Sequence, residues 1–186
     1  MSSTNKNIWI QKGYEIFSVS GQSGLKIEPL AKTVGKSKSS FYHHFADLDL
    51  FTRILLDYHL EQCRIIAAKE QLAQNIDPEL IAILVEHKTD LLFNRQLRIN
   101  QNIKLFSEIL LQSNKIVGDA FVKVWVKDSS LKLSPKQMES VFTLALENFY
   151  LQINPDNLNH RWLSDYFSRL EELTGNIIPD PLYGSG

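Results

Sequence analysis

The sequence lacks the features on which several classes of protein depend. It contains a single cysteine, Cys63, so no internal disulfide can form, which fits a reducing compartment. No stretch of about 18 consecutive apolar residues occurs, so no ordinary transmembrane helix is expected. The first residues show no basic segment followed by a long apolar core, so no signal peptide is expected. Together these absences favour a cytoplasmic protein with no membrane partner.

The common signatures of catalysis and metal binding are also missing. There is no Gly-rich phosphate loop, Ser-His-Asp arrangement or grouped pair of carboxylates. The five histidines never show the His-x-x-x-His spacing of a helical metal site, so surface or hydrogen-bonded core histidines are expected. Cys63 is interpreted as a buried, inert thiol, with a redox sensor as the alternative. The sequence therefore predicts a protein that is not an enzyme and uses no cofactor or metal.

Charge is distributed unequally along a chain of ordinary globular composition. Hydrophobic residues make up 44% and charged residues 22% of the 186 positions, and the net charge is −1. Residues 1–46 nevertheless carry +4, whereas residues 47–186 carry −5. A basic head on an acidic body is expected if only the head meets a polyanion. The alternative is that the lysines are simply a solvated face.

The most informative stretch is IEPLAKTVGKSKSSFYHHF, residues 27–45. Its first half has apolar residues at i, i+1 and i+4, which predicts a short helix, and Gly35 suits the tight turn that follows. Ser37 or Ser39 can cap a second short helix by accepting a backbone N–H bond. Phe41 lies on the apolar face of that helix, and the opposite face is polar. Two short helices joined by a glycine turn form a helix-turn-helix.

This stretch, with GYEIFSVSG before it and DLDLF after it, resembles the DNA-binding domain of TetR-family transcriptional regulators over residues 8–55. The resemblance implies an all-α fold of about nine helices, with a three-helix DNA-binding domain at residues 1–46 and a helical effector-binding and dimerisation domain at 47–186. The matching positions are Phe17, Gly21, Gly24, Leu25, Leu30, Ala31, Gly35, Ser37, Phe41, Tyr42, His44, Phe45, Leu50 and Phe51.

Three positions depart from the family pattern. Lys26 stands near the position of a capping Thr, and Lys36 replaces a buried Val, so that its stem must cover the core. Leu48 replaces a Lys that touches a phosphate, and it lies between Asp47 and Asp49. Because neutralised phosphates supply much of the affinity for DNA, weaker or more salt-sensitive binding is expected.

Apolar spacing and capping signals predict the other helices. Asp47, Asp77 and Ser134 are expected to cap helices, Ser134 with Gln137 in a capping box. Gly13 should allow close approach of the first helix to a neighbour. The predicted helices outside the helix-turn-helix span residues 6–20, 47–73, 77–93, 95–113, 114–128, 134–153 and 157–174.

Polar residues around the second short helix are the candidate DNA contacts. Hydroxyls and lysines there can reach base edges and phosphates in the major groove. The resemblance implies that Tyr42 and His44 mainly hold phosphate or pack at the groove edge, and the alternative is that they only support the helix pair. The candidates are Lys26, Lys36, Lys38, Ser39, Ser40, Tyr42, His43 and His44.

The aromatic-rich body is the candidate for effector binding. Aromatic stripes more often form core than pocket, but the resemblance implies a mostly apolar pocket between the middle helices with a few polar anchors. It also implies a homodimer, formed through residues 134–153 and 157–174. The candidate pocket residues are His87, Asn102, Phe106, Phe121, Trp125, Phe142 and Phe149, with Gln112 as a further anchor.

These patterns lead to one functional prediction and one alternative. The prediction is a cytoplasmic, homodimeric, TetR-like DNA-binding regulator. We expect a repressor that a small apolar effector releases from a roughly palindromic operator. The alternative is a sensor or interaction protein of the same fold with weak or lost DNA binding, which Leu48 and its two acidic neighbours favour.

Overall fold

The computed structural model describes residues 2–128 and 134–177, and every regular element in these ranges is helical. The predicted all-α class is therefore confirmed. A short π-helical turn, Ile76–Leu80, accompanies the α-helices. The α-helices are α1 (Ser2–Gly24), α2 (Ile27–Val34), α3 (Lys38–His44), α4 (Leu48–Glu70), α5 (Ile81–Glu86), α6 (Lys88–Ile99), α7 (Lys104–Asp128), α8 (Pro135–Gln152) and α9 (His160–Ile177).

The helices pack into two compact units. Unit 1 comprises Met1–Ala67 and His87–Gly118, and unit 2 comprises Ala68–Glu86 and Asp119–Gly186. Helices α1, α2, α3 and α6 thus lie in unit 1, and α5, α8 and α9 lie in unit 2. The N-terminal helices belong to the same compact unit as α6. The predicted boundary at residue 46, between a DNA-binding and an effector-binding domain, therefore stays a prediction about function.

Aromatic rings from α1 and α6 form the centre of unit 1. Tyr14 and Phe17 face inward from α1, as their spacing predicted, and both stack on Phe93 with ring centroids 4.4 and 4.3 Å apart. Phe17 also meets Phe106 of α7 edge-on, at 5.7 Å. Such aromatic pairs stabilise a core beyond the area that they bury, so they hold α1 against α6.

Two glycines shape α1. A β-carbon built at Gly13 would lie 2.4 Å from Cζ of Phe51, which is fully buried on α4. The close approach predicted for Gly13 is thus confirmed. Gly21 has φ 63° and ψ −163°, which interrupts the helix before its last turn. Only glycine adopts this region without strain, so Gly21 sets the exit of the chain toward α2.

Helix boundaries in the middle of the chain differ from the prediction. The predicted helix 77–93 is interrupted at His87, whose φ of −97° and ψ of 24° are not helical. The predicted helix 95–113 is broken by a turn between α6 and α7, where the Asn100 side chain donates to the Gln96 carbonyl at 2.9 Å. No break occurs at residue 114, because α7 continues to Asp128. At the second break the Asn100 side chain bonds back to the backbone, which apolar spacing does not reveal.

Capping signals were predicted correctly at two helices and wrongly at a third. Asp47 accepts the Leu50 N–H at 2.7 Å, and Ser134 forms the predicted capping box with Gln137. At the π-helical turn the cap is Asn75, whose side chain accepts the Glu79 N–H. The predicted cap, Asp77, instead accepts the Ser164 hydroxyl of α9 at 2.7 Å.

None of the described helices is long and apolar enough to span a membrane.

Replacing Gly13 by Ala should destabilise the protein. Alanine favours a helix interior by about 1 kcal/mol over glycine, but its β-carbon would overlap the ring of Phe51, and overpacking costs about 1–3 kcal/mol. We expect a lower free energy of unfolding in urea, while Ser20→Ala, at an exposed position of the same helix, should change it little. A stabilised Gly13→Ala variant would show that α1 and α4 are not in close contact.

Candidate nucleic-acid interface

Helix α2 and the turn after it are set by backbone geometry. Lys26 precedes α2 with an extended backbone and makes no side-chain cap, so the capping Thr of the family pattern has no substitute here. Leu30 and Ala31 are buried, as predicted. Gly35 has φ 70° and ψ 33°, and its N–H bonds the last turn of α2. The left-handed turn predicted at Gly35 is therefore confirmed.

Helix α3 is short and depends on a cap and an aromatic anchor. Of the two predicted caps, Ser37 fills the role, since its hydroxyl accepts the Ser40 N–H at 3.2 Å. Phe41 is fully buried and meets Trp9 of α1 edge-on at 5.4 Å. It also contacts the rings of Phe45 and Phe51. The contribution of Trp9 was not predicted, because its distance in sequence from Phe41 hides the contact.

The outer face of α3 is open to solvent. Tyr42 is 56% exposed, while its ring edge rests on Phe41. Ser40 and His44 are half-buried, and the His44 ring lies against His43 and Phe45. The structure brings all the candidate DNA contacts onto or beside α3. The exposed candidates are Lys26, Lys36, Lys38, Ser39, Tyr42 and His43.

Lys38 is paired within the chain. Its ammonium donates to Oε2 of Glu28 on α2 at 2.8 Å, and both side chains are largely exposed. The hydrogen bond and the charge of Lys38 lower the pKa of the Glu28 carboxyl. An exposed pair of this kind contributes little to stability. Its importance for the site is that any phosphate bound by Lys38 would have to compete with Glu28. Sequence spacing did not indicate the Lys38–Glu28 contact.

Leu48 has a structural role at the position where the family pattern has a cationic residue. It is half-buried and packs against the hydrophobic core of unit 1. Asp47 on one side caps α4, and Asp49 on the other lies exposed in its first turn. The start of α4 therefore presents carboxylates where the resemblance implied a phosphate contact.

A buried polar network lies behind the helix-turn-helix and joins α1, α4 and α6. The Tyr14 hydroxyl donates to Oδ1 of Asp90 at 2.7 Å and lies 2.8 Å from Nδ1 of His59. Nδ1 of His87 is 2.9 Å from the other Asp90 oxygen. Burial raises the pKa of Tyr14 well above its usual value and lowers that of His59 to about 3, so both stay neutral near pH 7. Cys63 is buried as predicted, 3.6 Å from Nε2 of His59.

The candidate effector residues are distributed over both units. In unit 1, His87 bonds Asp90, Phe106 is buried against Phe17, and Asn102 and Gln112 are exposed. In unit 2, the ring of Phe121 lies 5.7 Å from that of Phe142, and that of Trp125 lies 6.4 Å from it, while Phe149 packs on Trp162 and Tyr166. A pocket of about 420 Å3 in unit 1 contains none of them. It is lined by Ser20, Gly21, Gln22, Ser23, Gln96, Ile99 and Asn100.

Comparison with known proteins places this geometry in a recognised fold. No family model matches the chain, and no curated protein matches it. Solved structures do match: a transcriptional regulator of the TetR/AcrR family from Aquifex aeolicus VF5 superposes with a TM-score of 0.60 at 16% identity, covering 94% of this chain and 99% of that one.

Two further regulators show the same likeness. A protein assigned to the TetR family from Rhodococcus sp. gives a TM-score of 0.53 at 19% identity, covering 94% of this chain and 97% of its own. Another from Mesorhizobium loti MAFF303099 gives 0.56 at 15% identity, covering 95% and 98%. The chain is thus an all-helical protein with an N-terminal helix-turn-helix, and its fold is that of TetR-family transcriptional regulators. The fold implied by the resemblance of residues 8–55 is confirmed over nearly the whole chain.

Removing the Ser37 cap should weaken α3 without affecting the rest of unit 1. We expect Ser37→Ala to lower the free energy of unfolding in urea by about 1 kcal/mol, because the Ser40 N–H loses its acceptor. Ser39→Ala is the matched control, since its side chain is exposed on the same helix and should change stability by less than about 0.5 kcal/mol. Equal losses in both variants would contradict the assignment of the cap.

Proposed function

We propose that this chain is a cytoplasmic, homodimeric, DNA-binding transcriptional regulator, specifically a repressor that leaves its operator when a small molecule binds. One observation carries the proposal: Phe41 anchors α3 in the core of unit 1, while the opposite face of the same helix presents Ser39, Tyr42 and His43 to solvent. A rigid short helix with hydroxyl and imidazole groups outward is suited to reading a major groove.

The charge around α3 supports DNA as the partner. Lys26 and Lys36 are exposed at the two ends of α2, where they can reach phosphates on either side of the groove. Lys38 would exchange the Glu28 carboxylate for a phosphate. The net charge of +4 over residues 1–46 attracts a duplex, and the opposite charge of the remaining chain disfavours binding elsewhere.

Dimerisation through the C-terminal helices is supported by leucines exposed on them. Leu144 and Leu151 lie seven residues apart on α8 and are 72% and 79% exposed. Residues at this spacing share a helix face, and adjacent exposed leucines favour a protein interface. A twofold dimer would present two copies of α3 about 34–36 Å apart, so the operator should be roughly palindromic.

The effector is proposed to act by shifting a population between DNA-binding and free forms. A difference of only about 1–3 kcal/mol in affinity for the two forms is enough for such control. The network of Tyr14, His59 and Asp90 supports this coupling, because it connects α1 behind the helix-turn-helix to α4 and α6. Movement of α6 would break hydrogen bonds that have no water to replace them.

The acidic start of α4 favours a second candidate, a regulator-like fold with weak DNA affinity. Asp47 and Asp49 flank Leu48, which is committed to the core. A titration of DNA binding against salt separates the two functions. A regulator should lose affinity steeply as salt increases, whereas a protein without phosphate contacts should not.

Replacing Lys38 and Tyr42 together by Ala should abolish operator binding. Each residue lost from a base or phosphate contact costs about 1–3 kcal/mol, and a dimer loses both twice, so we expect at least about 100-fold weaker binding. Fluorescence anisotropy with a duplex selected from a random pool measures this, and circular dichroism checks the fold. Lys123→Ala, which removes an exposed cation of α7 in unit 2, is the control. Unchanged affinity of the double variant would refute the interface.

Replacing Leu144 and Leu151 together by Glu should convert the dimer into monomers. Burying four carboxylates in a twofold interface without partners is strongly unfavourable. Sedimentation velocity at about 10 μM, well above the dissociation constant expected for a stable dimer, should show this change. Leu72→Glu, at a position that is 77% exposed outside α8, should remain dimeric. A wild-type chain that sediments as a monomer would reject the proposed interface.

A further inference from the structure

Glu70, at the end of α4, is an ionisable residue whose side chain has no partner in the described part of the chain. Its side chain has no exposed surface, and neither Oε1 nor Oε2 has a hydrogen-bond partner. Buried polar groups are almost always hydrogen-bonded, and a buried carboxyl without partners is among the most costly groups to retain. The residue therefore requires an explanation beyond packing.

Among the described residues, no group donates a hydrogen bond to the Glu70 carboxyl. Among the described residues of unit 2, every other buried side chain is aliphatic or aromatic. The neighbouring Lys69 instead bonds Glu86 on α5 at 2.6 Å. Lys127 donates to the side chain of Gln74, and His160 pairs with Asp77 at 3.1 Å. These three basic side chains of unit 2 thus bond other groups, and both carboxyl oxygens of Glu70 remain without a hydrogen-bond donor.

We propose that Glu70 anchors the effector site in unit 2, and that the effector is a monocation with an ammonium group on an apolar body. The assignment rests on the proposed function, because it names the chemical class of the effector postulated there. An ammonium supplies the donors and the charge that two unpartnered oxygens lack. A single carboxylate matches a single positive charge, since a second charge would be buried unpaired.

The apolar interior of unit 2 selects the rest of the ligand. Its buried residues include several large rings, among them Trp125, Phe149, Tyr166 and Phe167, beside aliphatic side chains. Aromatic faces attract cations, and apolar surface buried against them adds about 25 cal/mol for each Å2 removed from water. Because Glu70 is fully covered in the free chain, binding must displace the side chains above it.

Protonation links this site to pH. Burial raises the pKa of Glu70 to about 8, so about 90% of the free protein carries a neutral carboxyl at pH 7. A bound ammonium requires the carboxylate, so binding should release nearly one proton at pH 7. Affinity for the ammonium should increase about tenfold from pH 6 to pH 7 and level off above pH 8.

The test uses the full chain without DNA and three pairs of probes. Each pair joins an ammonium to the alcohol of the same shape: benzylammonium and benzyl alcohol, 1-naphthylmethylammonium and 1-naphthylmethanol, 4-phenylbutylammonium and 4-phenylbutanol. Isothermal titration at pH 7 is run on wild type, Glu70→Gln and Glu172→Gln. Glutamine is isosteric with the neutral carboxyl and should fold. Glu172 is an exposed carboxylate of α9 in unit 2 and serves as the matched control.

We expect at least one ammonium to bind wild type and Glu172→Gln alike, and Glu70→Gln at least tenfold more weakly. Its alcohol should not distinguish the three proteins. Comparison of the binding enthalpies measured in phosphate and in Tris should show that wild type releases nearly one proton when the ammonium binds and that Glu70→Gln releases none. Equal binding of the ammoniums to wild type and Glu70→Gln, or no binding of any of them at millimolar concentration, overturns the proposal. The proposal is also overturned if Glu70→Gln weakens binding of the alcohols as much as binding of the ammoniums.

A second measurement is independent of the probes. Because the folded pKa lies above the unfolded value of 4.5, the free energy that Glu70 contributes is fully present below pH 4.5 and is lost as pH rises through 8. Glu70→Gln should therefore gain stability relative to wild type between pH 5 and pH 9. If the difference in stability between Glu70→Gln and wild type is the same at pH 5 and pH 9, the buried carboxyl on which the site depends is contradicted. DNA binding is measured separately, so failure of the regulator function and failure of the ammonium site are distinguishable.

Discussion

The burial of Phe41 is the interaction on which the exposed face of α3 depends. Helix α3 has only seven residues, too few to be stable alone in water. Its order comes from the Ser37 cap at one end and from Phe41, which inserts among Trp9, Phe45 and Phe51. This anchor fixes the positions of the side chains on the outer face of α3. A surface of fixed geometry can thus be built on a very short element, because tertiary packing replaces intrinsic helix stability.

Two buried carboxyl groups among the described residues follow opposite rules. Asp90 in unit 1 accepts the Tyr14 hydroxyl on one oxygen and lies beside His87 on the other, so its burial is compensated. A satisfied network of this kind specifies one arrangement of helices. Glu70 in unit 2 has no such compensation. The first pattern is typical of a structural group, and the second is typical of a ligand-binding group.

Local signals were predictable from the sequence, and long-range contacts were not. The Gly35 turn and the Ser37 and Ser134 caps depend on residues a few positions apart, so spacing revealed them. The bond from Tyr14 to Asp90 spans 76 positions, and nothing in the neighbourhood of either residue indicates it. The position of a helix break was also not predicted where a polar side chain bonds back to the backbone, because apolar periodicity does not reveal such bonds. At the candidate interface, the exposed face of α3 was predictable, whereas the engagement of Lys38 by Glu28 was not.

The two faces of α3 are decoupled from one another. Phe41 alone commits the helix to the interior, while Ser39, Tyr42 and His43 project away from it. Exchanging Ser39 or His43 leaves the core untouched, so the fold imposes little penalty on variation at these two positions, whereas the Tyr42 ring rests on Phe41. Under the proposed function, descendants of this chain can acquire new sequence preferences through changes on the outer face of α3, while the aromatic base beneath it stays the same.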